Sequence, residues 1–170
     1  YGRAEEFLAG WLDARGQPEL TVSSKWGYAY VGDWRLDAEV HEVKEHSLAR
    51  FRTQLAETRK LLGDRLNLYQ VHSLTEDSPL FSDAELRAEL AELAASGVAI
   101  GFSTSGPAQG DTIARALDLG LFSAVQSTWN PLEPSVADRL AEAHAAELRV
   151  LVKEPLANGR LVLQPPEAIR

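Results

Sequence analysis

Five apolar runs in this chain each close on a single polar residue, and helical stretches separate them. Lys25 follows Leu20-Thr21-Val22-Ser23-Ser24, and His72 follows Leu66-Asn67-Leu68-Tyr69-Gln70-Val71. Ser103 follows Val98-Ala99-Ile100-Gly101-Phe102, Gln126 follows Phe122-Ser123-Ala124-Val125, and Lys153 follows Leu148-Arg149-Val150-Leu151-Val152. Runs of this length read as buried strands, and a crossover long enough for one helix between neighbours implies parallel pairing. In parallel α/β proteins, ligands and chemistry gather at the carboxyl ends of the strands. The five polar residues stand at those ends.

The intervening segments carry helix signals. Ala4–Ala14 sets Phe7, Leu8, Trp11 and Leu12 on one face, with Gly16 as a stop, and Ser47–Leu62 repeats Leu48, Phe51, Leu55 and Leu62 before Gly63. Ser82 with Glu85 reads as a capping box for a helix running to Gly97. Asp111 is expected to cap a shorter helix ending near Gly120, and Ser135 with Asp138 to start another. The expected order is a helix, strand–helix four times, and a last strand, in a single domain over residues 1–170. Periodicity alone leaves two architectures open, a small doubly wound sheet or an arc of a barrel. A closed (β/α)8 barrel takes about 250 residues, so 170 residues hold part of one.

Composition narrows the function. The net charge of -8 argues against a nucleic-acid partner, which would require concentrated basic surface. With no cysteine there is no disulfide, thiolate metal site or cysteine nucleophile, as expected of a cytoplasmic protein. No apolar run approaches the roughly 18 residues of a membrane span. His41 and His46 miss the helical metal spacing and are expected to be solvated, as are Glu5-Glu6 and Glu167, so no metal site is expected. Gly101-Phe102-Ser103-Thr104-Ser105-Gly106 matches neither a nucleophile elbow nor a P-loop.

Taken singly, Tyr1, Lys25 and His72 have ordinary explanations: an aromatic cap, a solvated stem, a hydrogen-bonded structural histidine. Together they equip a carbonyl reaction. A lysine ammonium beside a tyrosine favours phenolate and brings proton transfer nearer neutral pH, and a histidine can hydrogen-bond a carbonyl oxygen. None of these side chains supplies a hydride, so a cofactor must.

The ordered set Tyr1-Gly2-Arg3-Ala4-Glu5-Glu6, Ser24-Lys25-Trp26, Leu68-Tyr69-Gln70-Val71-His72, Gly101-Phe102-Ser103, Gln126-Ser127-Thr128-Trp129-Asn130 and Pro155-Leu156-Ala157-Asn158-Gly159-Arg160-Leu161 resembles the aldo-keto reductases. These are NADPH-dependent oxidoreductases on a (β/α)8 TIM barrel. The resemblance implies Tyr1 as proton donor, Lys25 as its tuner and His72 as the group orienting a small-molecule carbonyl substrate. It implies that Ser103 and Gln126 hold the nicotinamide carboxamide, with Thr104, Lys153 and the Glu154-Pro155-Leu156 turn beside the cofactor. NADP(H) is the expected nucleotide, with NAD(H) also open because the segment that grips the 2′-phosphate lies outside the sequence.

Three departures accompany the match. The family's catalytic aspartate precedes the tyrosine, ahead of this sequence; Thr104 follows Ser103 where asparagine is usual; and Lys153 takes the place of a tyrosine that stacks on the nicotinamide. By this alignment the chain is a fragment lacking two early strands and the last. The long connection from Trp26 to His46 carries Trp26, Tyr28, Tyr30 and Trp34, which as a binding loop would wall the substrate pocket together with Trp129. The alternative function is a barrel that binds a nicotinamide nucleotide without turnover, as a regulatory subunit.

Overall fold

A computed structural model describes residues 2–16, 19–163 and 167. Helix α1 (Arg3–Arg15) precedes strand β1 (Val22–Trp26). A short antiparallel hairpin follows, β2 (Tyr28–Tyr30) with β3 (Glu42–Lys44). Helices then alternate with strands: α2 (Leu48–Leu62), β4 (Leu66–Leu74), α3 (Ala84–Ala95), β5 (Ala99–Thr104), α4 (Gln109–Leu117), β6 (Ala124–Thr128), α5 (Ala137–Ala145) and β7 (Arg149–Lys153). A 3-10 turn, Ala157–Gly159, and the single-turn α6 (Arg160–Leu163) follow.

Strands β1, β4, β5, β6 and β7 form one sheet in that spatial order, every pair parallel. Spatial order follows chain order throughout. A doubly wound sheet would reverse direction at a switch point, with helices on both faces. Here the winding never reverses, which is the progression of a (β/α)8 barrel. That decides between the two architectures periodicity left open.

The two faces of each strand differ, because successive side chains alternate. Trp26, Tyr69, Val71, Ile100, Phe102 and Val125 point to the helices and are almost fully buried. Trp26 packs edge-on against Phe51 of α2 at 5.1 Å between ring centroids, and Phe102 meets Phe122 at 4.7 Å. Burying a side chain of this size contributes about 1.5–3 kcal/mol. Polar stitches run through the same layer. The Glu5 carboxylate accepts from Ser24 Oγ at 2.5 Å and Thr58 Oγ1 at 2.7 Å, tying α1 to β1 and α2. Glu5 is therefore half-buried, not the solvated surface acid expected, because its position on α1 faces two hydroxyls.

Helix starts differ from the expected caps for local reasons. Pro79–Phe81 form a 3-10 turn whose Pro79 carbonyl accepts from Ser82, so Asp83 becomes the cap of α3 and accepts from Leu86 N at 2.9 Å. Helix α4 begins at Gln109, leaving Asp111 in its first turn, where a carboxylate meets the positive end of the helix dipole. Helix α5 begins at Ala137 without a side-chain cap, and Ser135 donates to the Glu133 carboxylate instead. Ser47 does cap α2, accepting from Arg50 N at 3.1 Å.

The connection from Trp26 to His46 is not structureless. Tyr28, Ala29 and Tyr30 pair with Lys44, Val43 and Glu42, and Tyr30 lies against Trp34 with ring centroids 4.5 Å apart. Among the described residues no helix is long and apolar enough to cross a membrane.

Candidate active site

The helix-free face of the sheet carries the polar residues. Lys25 on β1 registers with Gln70 on β4, Gln70 with Gly101 on β5, and Ser103 with Gln126 on β6. His72 lies one step beyond Gln70 on the same face, and Lys153 ends β7 opposite Thr128. Five strand ends from distant parts of the chain thus share one rim.

Lys25 and His72 line one cleft of about 490 Å³, together with Tyr28, Glu42 and Gly2. That is the size range of a small-molecule site. Tyr1 lies outside the described residues; Gly2, its neighbour in sequence, lines the cleft. A second depression of about 550 Å³ lies at the opposite, amino ends of the strands, around Asn67, Ala99 and Arg149. In barrels that end serves stability, while chemistry is found at the carboxyl ends.

The charges on the rim are alike. Burial, then the positive charge of Lys153, lowers the pKa of Lys25. Burial first, then the charges of Lys25 and Lys153 with smaller contributions from His46 and Lys44, pushes His72 down to about 4. Its imidazole is therefore neutral near pH 7 and keeps one N–H to donate. The Tyr28 ring stands edge-on to it at 4.9 Å. Among the described residues no carboxylate lies within ion-pair distance of Lys25 or Lys153.

Ser103 Oγ accepts from Ser73 N–H at 2.9 Å, which leaves its own proton to donate. Its register partner Gln126 is half-buried, and its carboxamide has no hydrogen-bond partner among the described residues. An adjacent hydroxyl donor and free carboxamide match the hydrogen-bonding pattern of a ligand carboxamide. Lys153 Nζ donates to Thr104 O at 2.8 Å, reaching across β6 to β5. Beyond it Glu154 adopts a left-handed conformation, φ 56°, and Asn130 Nδ2 donates to Glu154 O at 3.0 Å. This holds the Glu154-Pro155-Leu156 turn, all three residues exposed, at the end of β6.

Some expected site residues face elsewhere. Thr104 directs its hydroxyl to Gln109 and Ser127 in the helix layer, 3.1 and 2.7 Å away, so only its backbone carbonyl meets the rim. Trp26 alternates out of phase with Lys25, so its indole packs on Phe51 in the core, and it borders the cleft while almost fully buried. Trp129 is partly exposed just beyond β6. His46, expected in solvent, is 3 % exposed and bonded through both ring nitrogens. Two residues of the rim carry no mark of a role in the sequence: buried Gln70, whose Oε1 lacks a partner among the described residues, and half-buried Ser73, left-handed at φ 56°. The irregular register between Val71 and Leu74 explains the second, since such a bulge has no sequence mark of its own.

An all-parallel, singly wound sheet with its polar groups on the carboxyl rim defines the class of barrel α/β proteins. The chain belongs to the aldo/keto reductase family, whose model matches residues 1–165. Solved structures agree in fold. The glycerol dehydrogenase AKR11B4 from Gluconobacter oxydans superposes with a TM-score of 0.74 at 22% identity, over 98% of this chain and 49% of that one. A Pseudomonas aeruginosa protein described as an aldo-keto reductase gives 0.73 at 27% identity, over 92% and 58%. The holo form of AKR11C1 from Bacillus halodurans gives 0.67 at 22%, over 96% and 50%. The chain thus spans about half the length of these structures and forms a partial barrel. Comparison with curated proteins returns no match.

Proposed function

We propose that these residues form the proton-transfer and nicotinamide-contacting part of an NAD(P)H-dependent reductase of small aldehydes or ketones, within one domain. The observation that carries this reading is the common cleft of Lys25 and His72, with the Ser103 hydroxyl bonded to the N–H of Ser73, the residue after His72. In it, Tyr1 gives its phenolic proton to the substrate oxygen. The Lys25 ammonium stabilises the phenolate left behind and so eases the transfer. His72, neutral, donates its N–H to the same oxygen and orients the carbonyl. A bound reduced nicotinamide would supply the hydride. Ser103 and Gln126 would hold its carboxamide, and the Glu154-Pro155-Leu156 turn would border it.

The second reading, a nucleotide-binding barrel without turnover, draws on Lys153, a cation where the family places a stacking ring. Tyr1→Phe in the full-length protein separates the two. Loss of the proton donor lowers turnover of a reactive aldehyde by about 10²-fold or more, followed by nicotinamide absorbance, while cofactor affinity by fluorescence titration stays. Near-normal turnover in that variant favours the second reading.

A further inference from the structure

His46 sits behind the rim rather than on it. Its Nε2 lies 2.8 Å from the His72 carbonyl oxygen, which can only accept, so Nε2 carries the proton. That leaves Nδ1 as acceptor for the Ser78 hydroxyl, also at 2.8 Å. The backbone flanking this carbonyl is unusual. Ser73, the next residue, is left-handed, and its N–H is taken by Ser103 Oγ. The peptide between His72 and Ser73 is therefore clamped from both sides, by His46 through its oxygen and by Ser103 through its nitrogen. The ring also seats the start of the hairpin. A Cβ on Gly27 would stand 2.5 Å from His46 Cδ2, so Gly27 leaves the space the ring fills. Gln54 secures the same turn, accepting from Gly27 N at 2.8 Å and donating to Tyr28 O at 3.0 Å. Tyr28 in turn flanks His72. His46 thus touches both supports of the His72 ring: the backbone that carries it and the hairpin that walls it.

We infer that His46 is a positioning residue that sets the orientation of His72 through the His72 carbonyl and the Gly27 turn. The inference rests on the proposed function for the consequence in turnover, but not for the structural linkage. Glutamine at position 46 can present an N–H near the Nε2 site, whereas asparagine reaches only the Nδ1 site and loses the carbonyl. Both variants forfeit part of the same buried contact, so a merely structural role would weaken them equally.

The test compares His46→Gln and His46→Asn in the full-length protein. The expected result is a kcat for a small aldehyde within about threefold of wild type for Gln, and a loss of at least about tenfold for Asn. Cofactor Kd should be unchanged in both, and their melting temperatures should fall alike. The His72 ring resonances, followed by NMR, should stay in place in the Gln variant and move in the Asn variant. Equal losses of kcat tracking the melting temperatures, or unmoved His72 resonances in both, overturn the inference. Should the Asn variant not fold, Ser78→Ala, which frees the ring to turn, must shift the same resonances. A wild-type protein that reduces no aldehyde with either nicotinamide refutes the proposed function alone, and the resonances still decide the role of His46.

Discussion

The helix-facing and helix-free sides of the sheet are built from alternate residues of the same five strands, yet they follow opposite rules. Toward the helices, Trp26, Tyr69 and Phe102 are buried against apolar neighbours, and hydroxyls such as Thr104 find partners within the layer. Toward the open side stand Lys25, Gln70, His72, Ser103, Gln126 and Lys153, with like charges close together and Gln70 Oε1 unpartnered among the described residues. The first side gains stability from burial. The second keeps Lys25, His72, Gln126 and Lys153 half-exposed and available, at some cost in stability, as functional sites commonly do. The two-residue period of a strand allows both within five residues.

Changes on the two sides should then separate stability from turnover. Phe102→Ala, on the closed side, should cost about 3–5 kcal/mol of unfolding free energy, read from urea melts of the full-length protein. A cost below 1 kcal/mol would mean that this layer is not the core. Lys25→Met, on the open side, should lower aldehyde turnover by about 10²-fold with little change in melting. Its effect should be far from additive with Tyr1→Phe, because both disable one proton transfer. Additive losses would separate Lys25 from the tyrosine.

Acid should act through the open side as well. The folded pKa of His72, about 4, lies below its ordinary value, and that of His46 is lowered too. The unfolded chain thus binds protons first, and stability rises with pH across this window. The histidine contribution is fully present above about pH 6.5 and is lost as pH falls toward 4. His72→Gln should flatten the curve of urea midpoint against pH between these limits, whereas an unchanged curve would show that His72 is not held neutral. The smallest effect is expected for Gln70→Met. Removing a buried oxygen that has no partner among the described residues offsets the lost bond to Ser23, 2.9 Å in the native protein, so stability should change by less than about 1 kcal/mol. A larger loss would mean that the Gln70 oxygen has a partner in solution.

Much of this division was legible in the chain. The apolar runs placed the strands, and the polar residue closing each run put Lys25, His72, Ser103, Gln126 and Lys153 at or near their carboxyl ends. The family motifs also lie in the sequence itself, which the match over residues 1–165 bears out. What the chain could not disclose depends on neighbours far apart in sequence. Strand order ruled out a doubly wound sheet only once β1 was seen beside β4 and the order ran without reversal to β7. His46 read as a solvated loop histidine because its acceptor, the His72 carbonyl, lies 26 residues away and is backbone, which no residue type reveals. Trp26 and Thr104 drew attention beside Lys25 and Ser103, yet each points to the opposite face. Sequence determines which residues alternate; packing of the helices against one face decides which phase of that alternation becomes core and which becomes site.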